Sequence, residues 1–331
     1  MALKRWYSIG LPILALLVLL LVWFGSVVLR NVGGAGPAVL EPPQDIAELL
    51  PTAGDAPAAM PELPEGESTS QAENESPLTL PDGFTISVFA QDLEAPRVLT
   101  TDPNGVVLAS IPSAGTVVAL ADSNQDGAAD EQTVLLDGLE RPHGLLLECD
   151  SATSCDLYVA EVSTLWRYQY DPSRVRVTDG ERLTALPGGG RHFTRTLLRN
   201  GDELLISIGS SCDTCVEQDP RHGTIQAFDL ETRQLRPFAT GLRNAVFMTR
   251  APAGDIWVTE MGRDHLGDDL PPDELNIVTE GAFYGWPYCY GNNVPDIRFD
   301  SSEAAAARCR SAVPSHIDLQ AHSAPLGLTF V

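Results

Sequence analysis

The feature that most constrains this chain is a recurrence of short apolar strands bent around a turn glycine. "RVLTTDPNGVVLAS" turns at Gly105, "HFTRTLLRNGDELLISIG" at Gly201 and "RNAVFMTRAPAGDIWVTE" at Gly254. Between the first two, "RPHGLLLECDSATSCDLYVAE" has the same shape, with a disulfide-sized loop replacing the glycine turn. Gly105 to Gly201 is 96 residues, or two steps of 48, and Gly201 to Gly254 is 53. One such unit cannot bury both faces of its strands, whereas units stacked about an axis can. A period near 50 residues built from strands therefore predicts propeller blades. Four blades are visible, and "HSAPLGLTFV" repeats the start of the "RPHGLLL" element as the opening of a fifth. A strand ending at Val331 with no partner leaves its ladder groups unpaired. Residues 79–331 thus read as an all-β, C-terminally incomplete propeller.

Upstream of the blades, residues 7–29 carry no charge and follow Lys4 and Arg5. A run of that length spans a hydrocarbon layer of about 30 Å, and the preceding positive charge keeps the amino terminus inside. Residues 1–30 are therefore expected to form a transmembrane signal-anchor, with all that follows in the periplasm or exterior. Residues 31–79 hold nine acids, eight prolines and no basic or aromatic residue. Such a stretch buries too little apolar area to offset the entropy of ordering it, so 31–78 is expected to be a disordered tether.

The formal charge of −24 argues against nucleic acid as a partner. Lys4 is the only lysine, so every later cation is arginine or histidine, which favours forked recognition of carboxylates. Six cysteines in an exported chain suggest three local disulfides, from Cys149 with Cys155, Cys212 with Cys215, and Cys289 with Cys309. Val216 follows Cys215 where haem attachment would need histidine, and no second CxxC offers a zinc site.

Two stretches carry candidate chemistry. In "DSNQDGAAD", Asp122, Asn124, Asp126 and Asp130 open an oxygen-ligand calcium loop, but Thr133 stands where a bidentate glutamate is required. The loop is either a weak stabilising calcium site or a solvated turn. In "GGGRHFTRTLL", His192 stands between Arg191 and Arg195 at the mouth of a strand, and "GLRNAVF" sets Arg243 and Asn244 at another. Inner-strand entrances of a propeller face the channel mouth, where ligands usually bind.

Together these stretches resemble the glucose/sorbosone dehydrogenase family over about residues 79–331. The sharpest marks are the Arg243–Asn244 pair, "DELN" at 273–276 and "YGWP" at 284–287. The resemblance implies six blades, calcium and pyrroloquinoline quinone (PQQ), with oxidation of a sugar, polyol or sugar aldehyde. It implies His192 as general base, Arg243 and Asn244 as quinone contacts, and the Gly262 and Arg263 carbonyls as calcium ligands. His143 in "RPHGL" falls near another polar position of the family's pocket, and Arg191 flanks the base. The family's usual proline is Arg263 here, and its further cofactor cations belong to later blades. PQQ is a polycarboxylate ortho-quinone, so arginines, a Lewis acid and a base suit it independently of the resemblance. A calcium-dependent lactonase and a non-catalytic anchored binding propeller are the alternatives. The electron acceptor is left open.

Overall fold

The computed structural model describes residues 80–330 apart from Asp82. The expected anchor (1–30) and tether (31–78) lie outside the described residues. Among the described residues no helix is long and apolar enough to cross a membrane.

Four four-stranded antiparallel sheets follow one another. The first is β1 (Leu99–Thr101), β2 (Val107–Ile111), β3 (Thr116–Ala121) and β4 (Glu131–Leu136). The second is β5 (Gly144–Ser151), β6 (Ser154–Ala160), β7 (Thr164–Asp171) and β8 (Arg176–Ala185). The third is β9 (Leu197–Asn200), β10 (Glu203–Ile208), β11 (Thr224–Asp229) and β12 (Leu235–Thr240). The fourth begins with β13 (Ala245–Arg250), β14 (Ile256–Glu260) and β15 (Asp273–Val278). The chain then makes a short hairpin, β16 (Cys289–Tyr290) with β17 (Val294–Pro295), and a helix, α1 (Glu303–Ser311). It returns to pair β18 (Ile317–Leu319) with β15 as the fourth strand.

The first strands adjoin one another in series, β1 to β5, β5 to β9 and β9 to β13, as the inner strands of propeller blades do. Burial follows from that packing. The middle strands are covered on both faces and read as continuous apolar runs, such as "VVAL" in β3 and "LLISI" in β10. Outer strands alternate or carry charge, as β8 does with "RVTDGERLTA". Three apolar layers fill the gaps between the sheets. Leu108, Val117 and Leu157 lie in the first. Leu165, Leu204 and Phe228 lie in the second, and Ile225, Val258 and Tyr284 in the third.

All four inner hairpins fall where the turn pattern put them. Cys149 and Cys155 face each other in the β5–β6 register and are joined, with Cα atoms 3.9 Å apart. Cys212 and Cys215 form the second disulfide. The expected third is not formed. Cys309 Sγ donates to the Tyr288 carbonyl at 3.1 Å and Cys289 Sγ to that of Gly285 at 3.7 Å, so each buried thiol has found a backbone acceptor. Burial, with Cys309 alongside, pushes the Cys289 thiol well up.

Two further features depart from the expected pattern. α1 escapes a hydrophobic-periodicity reading because its buried face is only Ala305 and Cys309; Ser302 caps it through the Ala305 N–H, and Arg308 and Arg310 sit at its negative end. The expected opening of a fifth blade is not a strand. Residues 321–330 have no ladder partner among the described residues; the Ala324 N–H donates to Asp273 Oδ2 at 2.7 Å and the Leu326 carbonyl accepts from Thr259 Oγ1 at 3.0 Å.

Candidate active site

The entrances to β9 and β13 and the loops after β10 and β14 meet at the inner edge of the third and fourth blades. They enclose a cleft of about 270 Å³ lined by Arg191, His192, Arg243, Gly262, Asp264 and His322. Residues far apart in sequence meet here because each inner strand begins at the axis, and each hairpin returns to it. The approach is close. A Cβ on Gly209 would lie 2.5 Å from His192 Cβ and 2.7 Å from Asn244 Oδ1, so the turn after β10 admits only glycine there.

The environment of His192 fixes its tautomer. Nδ1 lies 2.9 Å from Ser210 Oγ and 3.2 Å from the Ser210 carbonyl. Ser210 spends its hydroxyl proton on the Cys212 carbonyl at 2.6 Å, so toward the imidazole both Ser210 oxygens accept. The ring proton is therefore on Nδ1, and Nε2 carries the lone pair. Burial, and then the Arg243 charge, lower the imidazole to about 4, so it is neutral at physiological pH.

Arg243 is buried and clamped. Nε donates to the Asp213 carbonyl at 2.9 Å, Nη2 to Asp213 Oδ1 at 2.6 Å and Nη1 to the Met261 carbonyl at 3.2 Å. Two of the five guanidinium N–H groups stay uncommitted. Burial alone would raise the Asp213 carboxyl, but the Asp264 amide and Arg243 hold it below the usual carboxylate range. Asn244 lies beneath rather than on the cleft lining, accepting from Thr194 Oγ1 at 2.8 Å and donating to Met261 Sδ. Arg191 is half-exposed and paired with Asp264.

Gly262 and Arg263 follow Glu260 and Met261 at the end of β14. The Gly262 N–H donates to Asp273 Oδ1 at 2.7 Å, and a Cβ there would lie 2.7 Å from the Pro272 carbonyl. Arg263 replaces the proline of the resemblance without filling the cleft, because its Nη1 is held by buried Asp296 at 2.7 Å. Among the described residues neither the Gly262 nor the Arg263 carbonyl accepts a hydrogen bond. Two uncommitted carbonyl oxygens, beside a neutral imidazole and a cation with spare donors, fit calcium and a carboxylated quinone.

Other predicted residues stand elsewhere. His143 is sealed away from the cleft between the Phe193 and Phe247 rings; its Nδ1 accepts from the Arg195 amide at 3.3 Å and Nε2 has no partner among the described residues. Burial lowers it to about 3. Arg195 is fully buried and donates to the Val162, His192, Thr194 and Pro187 carbonyls, so it is a strut, not a ligand cation. In the 122–130 loop, Asp122 accepts from the Asp126 and Gly127 amides, and Asp130 from those of Ser123 and Asn124. These bonds close the loop on itself through its own amides.

Sequence reasoning missed Ser210, Asp213, Asp264, Asp273 and His322. Asp213 sat in view inside "CDTC". His322 lines the cleft with Nε2 2.8 Å from the Gly267 carbonyl, and Asp273 Oδ2 accepts from the Ala324 amide at 2.7 Å. Hydrophobic patterning carries no signal for either.

A family model described as TrAA12-like matches residues 78–331. The chain belongs to the TrAA12-like family. A family AA12 carbohydrate-active enzyme from Trichoderma reesei is 25% identical with a TM-score of 0.64, over 74% of this chain and 72% of that one. The PQQ domain of pyranose dehydrogenase from Coprinopsis cinerea, in its holo form, is 22% identical with a TM-score of 0.63, over 72% and 68%. An uncharacterized protein of Borreliella burgdorferi is 26% identical over 273 residues, 77% of this chain and 67% of its own length. The fold is shared with PQQ-bound aldose sugar dehydrogenase from Streptomyces coelicolor, at 19% identity and a TM-score of 0.54 over 71% of each chain. The resemblance to sugar dehydrogenases drawn from the motifs agrees with TrAA12-like membership. A calcium structure of the Trichoderma protein is among these neighbours.

Proposed function

We propose that this chain oxidises a sugar, polyol or sugar aldehyde, with PQQ and calcium held in the cleft and His192 as general base. The observation that supports it is the meeting of His192, Arg243 and Gly262, from three separate loops, on one cleft. Bound PQQ beside calcium would supply the hydride acceptor. The chain's own residues do the rest. His192 Nε2 takes the proton of the substrate hydroxyl, or of the hydrated aldehyde, as the carbon–hydrogen bond breaks. Ser210 keeps that nitrogen free by holding Nδ1–H. The spare Arg243 donors and Arg191 bind the cofactor's carboxylates, Asn244 supports the quinone side, and the Gly262 and Arg263 carbonyls hold calcium. The cleft's aspartates are already engaged by arginines and amides, which disfavours the lactonase reading, where side-chain carboxylates must ligate the metal.

The reading includes a six-bladed ring, to which the four described sheets contribute four blades, and a 7–29 anchor that puts the propeller on the outer side. The test loads the full chain with PQQ and calcium and follows retained quinone absorbance and dye reduction with aldoses and sugar aldehydes. Retention with turnover is expected. Neither would leave the non-catalytic binding propeller as the better account. Membrane fractions washed with alkaline carbonate should retain the chain if the anchor is real.

A further inference from the structure

The loop closed by Cys212 and Cys215 reaches His192 through Ser210 and holds Arg243 directly. Its first carbonyl takes the Ser210 hydroxyl proton, which makes Ser210 Oγ an acceptor for His192 Nδ1. Its Asp213 binds the Arg243 guanidinium through both the carboxylate and the backbone carbonyl. The same carboxylate accepts from the Asp264 amide at 3.2 Å, which sets the loop after β14 against the loop after β10. Glu217 ties down the Ser211 N–H at 2.7 Å from the far end. A closure of only three residues in sequence, at partly exposed positions, gives this turn a rigidity its hydrogen bonds alone would not.

We propose that the Cys212–Cys215 loop is the positioning element of the site, with Asp213 aiming Arg243 and Ser210 holding His192 in the Nδ1–H tautomer. The proposal rests on the assignment of His192 and Arg243 to the cleft chemistry, but its test does not need that chemistry to occur.

Full-length protein labelled with 15N only at its six histidines reports which ring nitrogen of His192 is protonated, with the His192→Ala spectrum as the assignment. Nδ1–H is expected in the unsubstituted chain, and Nε2–H overturns the proposal. The imidazole is then titrated. The groups facing it are Arg191, Arg243, Asp213, Asp264, Asp273 and His322. In Cys212→Ser/Cys215→Ser the Arg243 charge is released and water enters, so the His192 midpoint should climb from about 4 toward the ordinary value near 6.5. The control Cys149→Ser/Cys155→Ser, at the far hairpin of the second blade, should leave it in place. Equal midpoints in the two double variants overturn the proposal. Ser210→Ala, with the disulfide intact, removes an oxygen that accepts from Nδ1–H and so favours the imidazolium; it should lower the midpoint, and serves if the double variant fails to fold, with no change there also overturning the proposal. A correct tautomer and shift combined with full turnover in His192→Ala would remove the general-base reading and leave the positioning role standing.

Discussion

At the entrance to β5 the chain reads Arg141-Pro142-His143; at the entrance to β9 it reads Arg191-His192, with Arg195 three residues on. Both entrances bring arginine and histidine to an inner strand, and burial drives both imidazoles down, to about 3 and about 4. Their surroundings differ. His143 is closed in by Phe193 and Phe247, while Arg141 stacks over Phe193 with its Cζ 3.7 Å from the ring centre. His192 has polar support on one nitrogen and the cleft on the other side. The comparison teaches that an inner-strand entrance is only an opportunity. The loop arriving from the next hairpin decides whether the histidine is packed or presented.

The sharpest way to break the comparison is to exchange the roles by substitution. His192→Ala should lower turnover by about 10²–10⁴ in a dye-reduction assay of the PQQ-loaded chain, with little change in thermal stability. His143→Ala should do the reverse, costing about 2 kcal/mol in denaturant unfolding and leaving turnover near its starting value. Equal losses of turnover would erase the distinction.

The arginines sharpen it next. Arg195→Ala removes the donor shared by four backbone carbonyls and should cost about 3 kcal/mol or more in urea unfolding. Arg243→Ala should instead weaken PQQ binding by about 10–100-fold in a calcium-saturated titration, since charge-assisted contacts contribute about 1.5–3 kcal/mol.

Acid should separate the two histidines by observable. His192 is neutral, and so competent, above about 4, which places the acid limb of kcat/KM there rather than near 6.5. Both folded-state values lie below the unfolded one, so the stability these imidazoles contribute is present above about 6.5. It is lost as pH falls toward about 4 and about 3. Thermal midpoints should therefore fall over a range where turnover still holds, and the fall should shrink in His143→Phe.

The smallest effects belong to the outer cations. Arg141→Ala should cost about 0.5–1 kcal/mol through its lost ring contact, and Arg191→Ala less than that in stability, since its partner Asp264 is exposed to water. Calorimetry resolves the first. Arg191→Ala should show instead as weaker quinone retention.

Strand spacing, turn glycines and the motif pairs determined the blades, the inner hairpins and the membership of His192, Arg243 and Gly262 in one neighbourhood. These are repeated, local signals: apolar strands recurring near every 50 residues, a glycine where the chain must turn, an entrance where each strand begins. The tertiary structure alone decided that Arg195 is a strut and His143 a packed residue, that Cys289 and Cys309 stay thiols, and that Ser210, Asp213, Asp273 and His322 belong to the site. Each of those outcomes depends on which donor meets which acceptor across blades separated by tens of residues, and on whether a ring is closed off from water. Burial and partner choice are properties of the packed arrangement. No stretch of the chain carries them by itself.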